Sequence, residues 1–191
     1  SNALTFTINA GGGTACSVGQ YLAQYYNNLT LSGTPTFTRC ETSINNHWGT
    51  AGPGNGIAND NFSVRWTGRF HFDAGTYLFS ATADDGIRVW LNGTLIIDGW
   101  KDQAATTYQV TRTLTDGEHE VKVEYYERCC DSVVLLSWQI PTAACENGQY
   151  FAEYFNNITL SGAPTFTRCE STINNSWGGG GPGDGIGTNN F

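Results

Sequence analysis

Between Phe62 and Gln139 apolar and polar positions alternate with period two. Val64, Trp66, Phe70 and Phe72 fall on one side of a strand, and Arg65, Thr67, Arg69, His71 and Asp73 on the other, as in a strand that buries one face. Tyr77, Phe79, Ala81 and Ala83 repeat the pattern, and Ile87, Val89 and Leu91 begin a third strand. That strand runs into Asn92-Gly93 and returns along Leu95 to Ile97; a two-residue turn of this type needs positive φ at both positions, which Asn and Gly tolerate. Asp116-Gly117 predicts a second hairpin, between Tyr108–Val110 and Val121–Tyr125, and Val134, Leu136 and Trp138 mark the last strand. No window carries a 3.6-residue apolar stripe, so the pattern predicts an all-β fold, a sandwich of two antiparallel sheets.

The flanking segments are copies of each other. Gly19 to Phe62 returns as Gly148 to Phe191 at a constant offset of 129, with about 30 of 44 positions identical. A period of that size is a domain rather than a solenoid repeat, whose units run to about 20–50 residues. The expected organisation is a tag remnant and linker (1–15, opening Ser1-Asn2-Ala3), a complete domain (16–140), a linker (141–147), and the first third of a second, truncated copy (148–191). Without the later strands, the apolar residues of that copy predict docking on a complete body. That docking would occur in a domain-swapped homo-oligomer or against its own domain.

Composition narrows the setting. With 9 Lys+Arg against 17 Asp+Glu and a net charge of -8, the chain lacks the basic footprint that nucleic acid requires. No apolar run approaches the roughly 18 residues of a spanning helix, so membrane insertion is not expected. Six cysteines without zinc-type spacing favour disulfides and an extracellular or cell-surface location over buried cytosolic thiols. The repeat maps Cys16 onto Cys145 and Cys40 onto Cys169, which pairs Cys16 with Cys40 and Cys145 with Cys169. Cys129 and Cys130 remain, either as a vicinal disulfide or as two free thiols.

No nucleophile motif, phosphate loop or HExxH zinc motif occurs, and the three histidines lie apart, so the chain reads as non-catalytic. Asp84-Asp85-Gly86 interrupts the alternating pattern. Neighbouring carboxylates on a regular strand point to opposite faces and can share one ion only if the chain turns, which Gly86 permits. Such a loop suits Ca²⁺, a hard cation that accepts oxygen ligands in irregular geometry; a solvated turn is the other reading. Among the aromatic residues Trp66 and Trp138 fall on core positions. Trp90, out of phase with Val89 and Leu91, and Trp100, in the Asp98–Asp102 connection, are the candidates for stacking on a sugar, with packing as the alternative.

The run from Gly19 to Trp138 resembles the PA14 domain, a β-sandwich module of bacterial toxins, glycosidases, surface proteins and yeast adhesins. The resemblance rests on GQYLAQYYNN, LSGTPTFTRCE, the stretch from Asp60 to Trp100 containing ADDGIRVWLNG, GEHEVKVEYYE and VVLLSW. It implies a jelly-roll-related sandwich in which Asp84 and Asp85, joined by a cis peptide, hold Ca²⁺ that itself binds sugar hydroxyls. The loop Glu127-Arg128-Cys129-Cys130-Asp131 would complete the site, either with Asp131 as a third metal ligand or through backbone carbonyls alone, with Glu127 and Arg128 beside the ligand. This loop departs from the family where Cys129-Cys130 replace small residues, and the adhesins' Asn ligand has no clear match. The implied function is Ca²⁺-dependent binding of a glycan or polysaccharide within a larger protein, beside neighbouring PA14 repeats. The alternative is a structural spacer in a tandem array that binds nothing small.

Overall fold

The computed structural model describes residues 16–140, 145–160, 164–177, 181–182, 185–187 and 191. The chain divides into two compact units, Ser1–Ile140 and Pro141–Phe191. Among the described residues every regular element is a strand, and none forms a helix long and apolar enough to cross a membrane.

The first unit holds β1 (Tyr21–Tyr26), β2 (Phe37–Glu41), β3 (Ile44–Gly49), β4 (Phe62–Phe72), β5 (Gly75–Asp84), β6 (Gly86–Leu91), β7 (Thr94–Gly99), β8 (Thr106–Leu114), β9 (Gly117–Glu127) and β10 (Ser132–Gln139). They form a six-stranded sheet, β2-β1-β4-β9-β6-β7, and a four-stranded sheet, β3-β10-β5-β8. All pairings are antiparallel. The predicted inward faces are the observed core. Val64, Trp66, Phe70 and Phe72 of β4 and Tyr77, Phe79, Ala81 and Ala83 of β5 are buried, with Ile87, Val89, Val121, Val123 and Tyr125. Trp138 packs only partly against this core, meeting Phe70 at 5.1 Å and Phe72 at 5.2 Å between ring centroids.

Asn92 (φ 49°) and Gly93 (φ 77°) form the expected two-residue hairpin between β6 and β7. A register shift between Val89 and Trp90 breaks strict alternation, so Ile96 and Ile97 are both buried while Leu95 is exposed. The second predicted hairpin is a correction. β8 pairs with β5 in the small sheet and β9 with β4 and β6 in the large one, so Asp116-Gly117 carries the chain from sheet to sheet. Sequence alternation marks a strand but not its partner, and β9 has both edges occupied by β4 and β6.

Two disulfides join Cys16 to Cys40 and Cys145 to Cys169, as the repeat predicts. The second unit contains β11 (Tyr150–Tyr154) and β12 (Phe166–Glu170). Their pairing, Tyr150↔Glu170 through Tyr154↔Phe166, repeats Tyr21↔Glu41 through Tyr25↔Phe37 at the same offset. Side chains follow suit: Arg39 and the Tyr25 hydroxyl both donate to Glu41, and Arg168 and Tyr154 to Glu170.

Candidate functional site

β5 lies in the small sheet and β6 in the large one, and Asp85 is the single residue between them. The crossing therefore occurs at Asp84-Asp85, whose peptide is cis. On the neighbouring strand Gly86 pairs with Tyr126, which brings the buried end of β9 alongside. Carboxylate oxygens of Asp84, Asp85 and Glu127 lie within 4.8 Å of one another. Gly86, which the sequence reads as permitting a turn, is not among the glycines with positive φ. A Cβ at Gly86 would stand 2.1 Å from the Tyr126 ring, so glycine is required there for close approach.

Asp85 is held by the backbone around it. Its Oδ1 accepts from the Gln103 N–H at 3.1 Å and its Oδ2 from the Arg128 N–H at 2.8 Å. Its carbonyl oxygen accepts from Gln103 Nε2, and the Gln103 Oε1 accepts from the Tyr108 hydroxyl. Glu127 is fully buried, and its Oε1 has no hydrogen-bond partner. The Tyr125 hydroxyl stands 2.5 Å from the Asp84 carbonyl oxygen and 2.9 Å from Glu127 Oε2. The phenolic O–H is thus placed to donate to both acceptors, as a three-centre hydrogen bond.

Burial pushes the Glu127 carboxyl up to about 8, and the charges of Asp85, Asp84 and Asp60 add to the shift. Burial also raises Asp84, with Asp85 and Asp131 contributing. Among the described residues no ion pair joins a cation to Asp84, Asp85 or Glu127; Arg128 turns its guanidinium to Asp102 instead, at 2.9 Å. Three carboxylates with an orphan oxygen and no counterion match the donor set of a hard divalent cation. Asp84, Asp85 and Glu127 are the residues that could hold one.

Other predicted residues are distributed around this cluster. Asp131 is exposed and contributes charge at a distance, without joining the clustered oxygens. The third carboxylate beside Asp84 and Asp85 is instead Glu127, the buried last residue of β9. Arg128 contributes its backbone to Asp85 and its side chain to Asp102, whose other oxygen accepts from the Tyr126 hydroxyl at 2.6 Å. Trp100 meets the Tyr126 ring at 4.7 Å and the Arg88 guanidinium at 4.8 Å, so it belongs to the rim of the site. Trp90 does not: it lies four residues beyond Gly86 on β6, with the Lys122 ammonium 3.6 Å from its ring centre.

Cys129 and Cys130 are free, exposed thiols, so the structure contains no vicinal disulfide. A hydrogen bond with Cys130 pushes the Cys129 thiol up to about 11. Gln103 and Asp60 are isolated polar residues outside the strands and leave no periodic signal in the sequence, where Tyr125 registers only as a strand position.

The PA14 domain profile matches residues 18–150. The chain belongs to the PA14 domain family. Over 174 residues it is 32% identical to the anti-sigma-I factor RsgI3 of Acetivibrio thermocellus, covering 81% of this chain and 27% of that protein. It thus spans about a quarter of that relative's length. A solved anti-sigma factor domain-containing protein aligns with TM-score 0.60 and 30% identity over 87% of this chain and 64% of its own. The PA14 sugar-binding domain of an RTX adhesin shares the fold, with TM-score 0.56 and 21% identity over 64% of this chain and 90% of its own.

Proposed function

We propose that this PA14 domain is a non-catalytic, calcium-dependent carbohydrate-binding module of a larger extracellular or surface protein. The observation that carries the reading is the fully buried Glu127, whose Oε1 lacks a partner beside the Asp84 and Asp85 carboxylates. Burying ionised carboxylates without a counterion is costly, and Ca²⁺ removes that cost by supplying the charge and accepting the oxygens. Bound there, the ion would offer coordination positions to vicinal sugar hydroxyls. Trp100 supplies an apolar ring at the rim, and Arg88, Asp102 and Arg128 supply polar groups for orientation.

Support for the ligand class comes from the fold shared with the adhesin's sugar-binding domain. The similarity to anti-sigma factor proteins favours a parent protein in which glycan recognition serves regulation. The deciding experiment pairs calcium calorimetry with a glycan array run with and without chelator. Calcium binding abolished by Asp85→Asn, together with chelator-sensitive glycan binding, is the expected result. Glycan binding unaffected by chelator would remove the ion from the mechanism, and binding of neither calcium nor glycan would favour the spacer.

A further inference from the structure

Four of the six cysteines are locked in disulfides, yet the two adjacent in sequence are not. Cys129 and Cys130 are both exposed, free thiols on adjacent residues. Cys130 has φ +86°, the left-handed region that disfavours side chains. They occupy the short β9–β10 connection, which begins one residue after Glu127.

The backbone of this connection orients the carboxylates. The Arg128 N–H donates to Asp85 Oδ2 at 2.8 Å, and the Cys130 N–H donates to Asp60 Oδ1 at 3.2 Å. Asp60 in turn is one of the charges acting on Glu127. The Cys130 N–H belongs to the Cys129–Cys130 peptide itself, and the Arg128 N–H lies in the same short connection, one residue before Cys129.

We propose that Cys129 and Cys130 form a dithiol–disulfide site that sets the calcium affinity of Asp84, Asp85 and Glu127. This regulation rests on the calcium reading given above. The oxidant is a small-molecule disulfide such as oxidised glutathione. One cysteine sulfur attacks it, forming a mixed disulfide and releasing one glutathione thiol. The second cysteine sulfur displaces the other, forming the Cys129–Cys130 bond. Two thiol hydrogens leave the protein and end on two glutathione thiols, so the protein is oxidised by two electrons and the glutathione disulfide is reduced.

Closing an eight-membered ring reshapes the intervening peptide. The Arg128 and Cys130 N–H groups then move off Asp85 and Asp60, and the oxidised form binds calcium more weakly. By linkage, calcium favours the dithiol by the same factor.

The test uses the whole chain, reduced selectively at this pair and then equilibrated with glutathione redox buffers. Intact mass reads ring closure, and calorimetry with calcium alone reads affinity. The expected results are a loss of two hydrogens in mass and at least about fivefold weaker calcium binding. Both effects should be absent in Cys129→Ser/Cys130→Ser, while that variant binds calcium like the reduced protein. Single variants Cys129→Ser and Cys130→Ser should take up one glutathione without closing. Failure to lose two hydrogens overturns the proposal, as does ring closure with unchanged calcium affinity. Calcium binding by neither redox form overturns the calcium reading and the coupling with it. Binding by the reduced form that oxidation leaves untouched overturns the coupling alone.

Discussion

Glu127 is a buried carboxyl whose ionised form destabilises the fold. Burial and the neighbouring aspartates raise its folded pKa to about 8, above the ordinary carboxyl value near 4.3 in an unfolded chain. Between these values the folded state holds more protons than the unfolded state, so stability falls as pH rises. The raised Asp84 pKa acts in the same direction. In chelator, the melting temperature is expected to decline from about pH 5 to about pH 8, and Glu127→Gln should flatten that decline. A slope unchanged in the variant would locate the pH response elsewhere. With calcium present the trend should reverse, because binding requires the ionised carboxylates. At a calcium concentration of 100 times its Kd the ion should add about 2.7 kcal/mol to the folded state. Asp84→Asn with Asp85→Asn should abolish that gain in a calcium-versus-chelator melt.

The site is positioned by the contact between β6 and β9. Gly86 starts β6 under the Tyr126 ring, and that ring is fixed by its hydroxyl bond to Asp102 and its edge contact with Trp100. Gly86→Ala forces the ring aside. It should cost about 1–3 kcal/mol, the range for an overpacked interior, measurable as a lower urea midpoint. Because the displaced ring draws Asp102 and Arg128 with it, calcium affinity should fall too. β2 is tied differently, through Cys16–Cys40 over a sequence separation of 24. Replacing both cysteines by serine should cost about 3 kcal/mol in the chain-entropy account, and an unchanged midpoint would mean that β2 is held by pairing with β1 alone.

For the whole molecule, the comparison between the two copies is informative. Tyr21, Leu31, Ile44 and Phe62 are buried in the first unit, at 2%, 8%, 2% and 0% exposure. Their counterparts Tyr150, Leu160, Ile173 and Phe191 are exposed at 53%, 70%, 75% and 39%. The local hairpin is the same in both, down to the Asn27 and Asn156 side chains that accept from the Ala58 and Gly187 N–H groups. In the first unit β4 pairs with β1 along its length, whereas among the described residues β11 pairs with β12 alone. An apolar face of this kind promotes association. Light scattering is expected to give a larger concentration-dependent mass for the whole chain than for residues 1–140. Equal monomeric masses would refute that expectation.

The sequence by itself determined whatever depends on near neighbours or on exact repetition. Period-two alternation placed the inward residues of β4 and β5, Asn92-Gly93 specified its hairpin through positive φ, and the 129-residue offset paired four cysteines. The Asp84-Asp85 pair stood out because it broke the alternation. Only the tertiary structure decided which strands meet: that Asp116-Gly117 crosses between sheets, and that Glu127 rather than Asp131 joins the two aspartates. It also placed Trp100 at the site and Trp90 under Lys122. The physical reason is that alternation records which face of a strand is buried, whereas the meeting of β5, β6 and β9 depends on sheet pairing between segments some 40 residues apart.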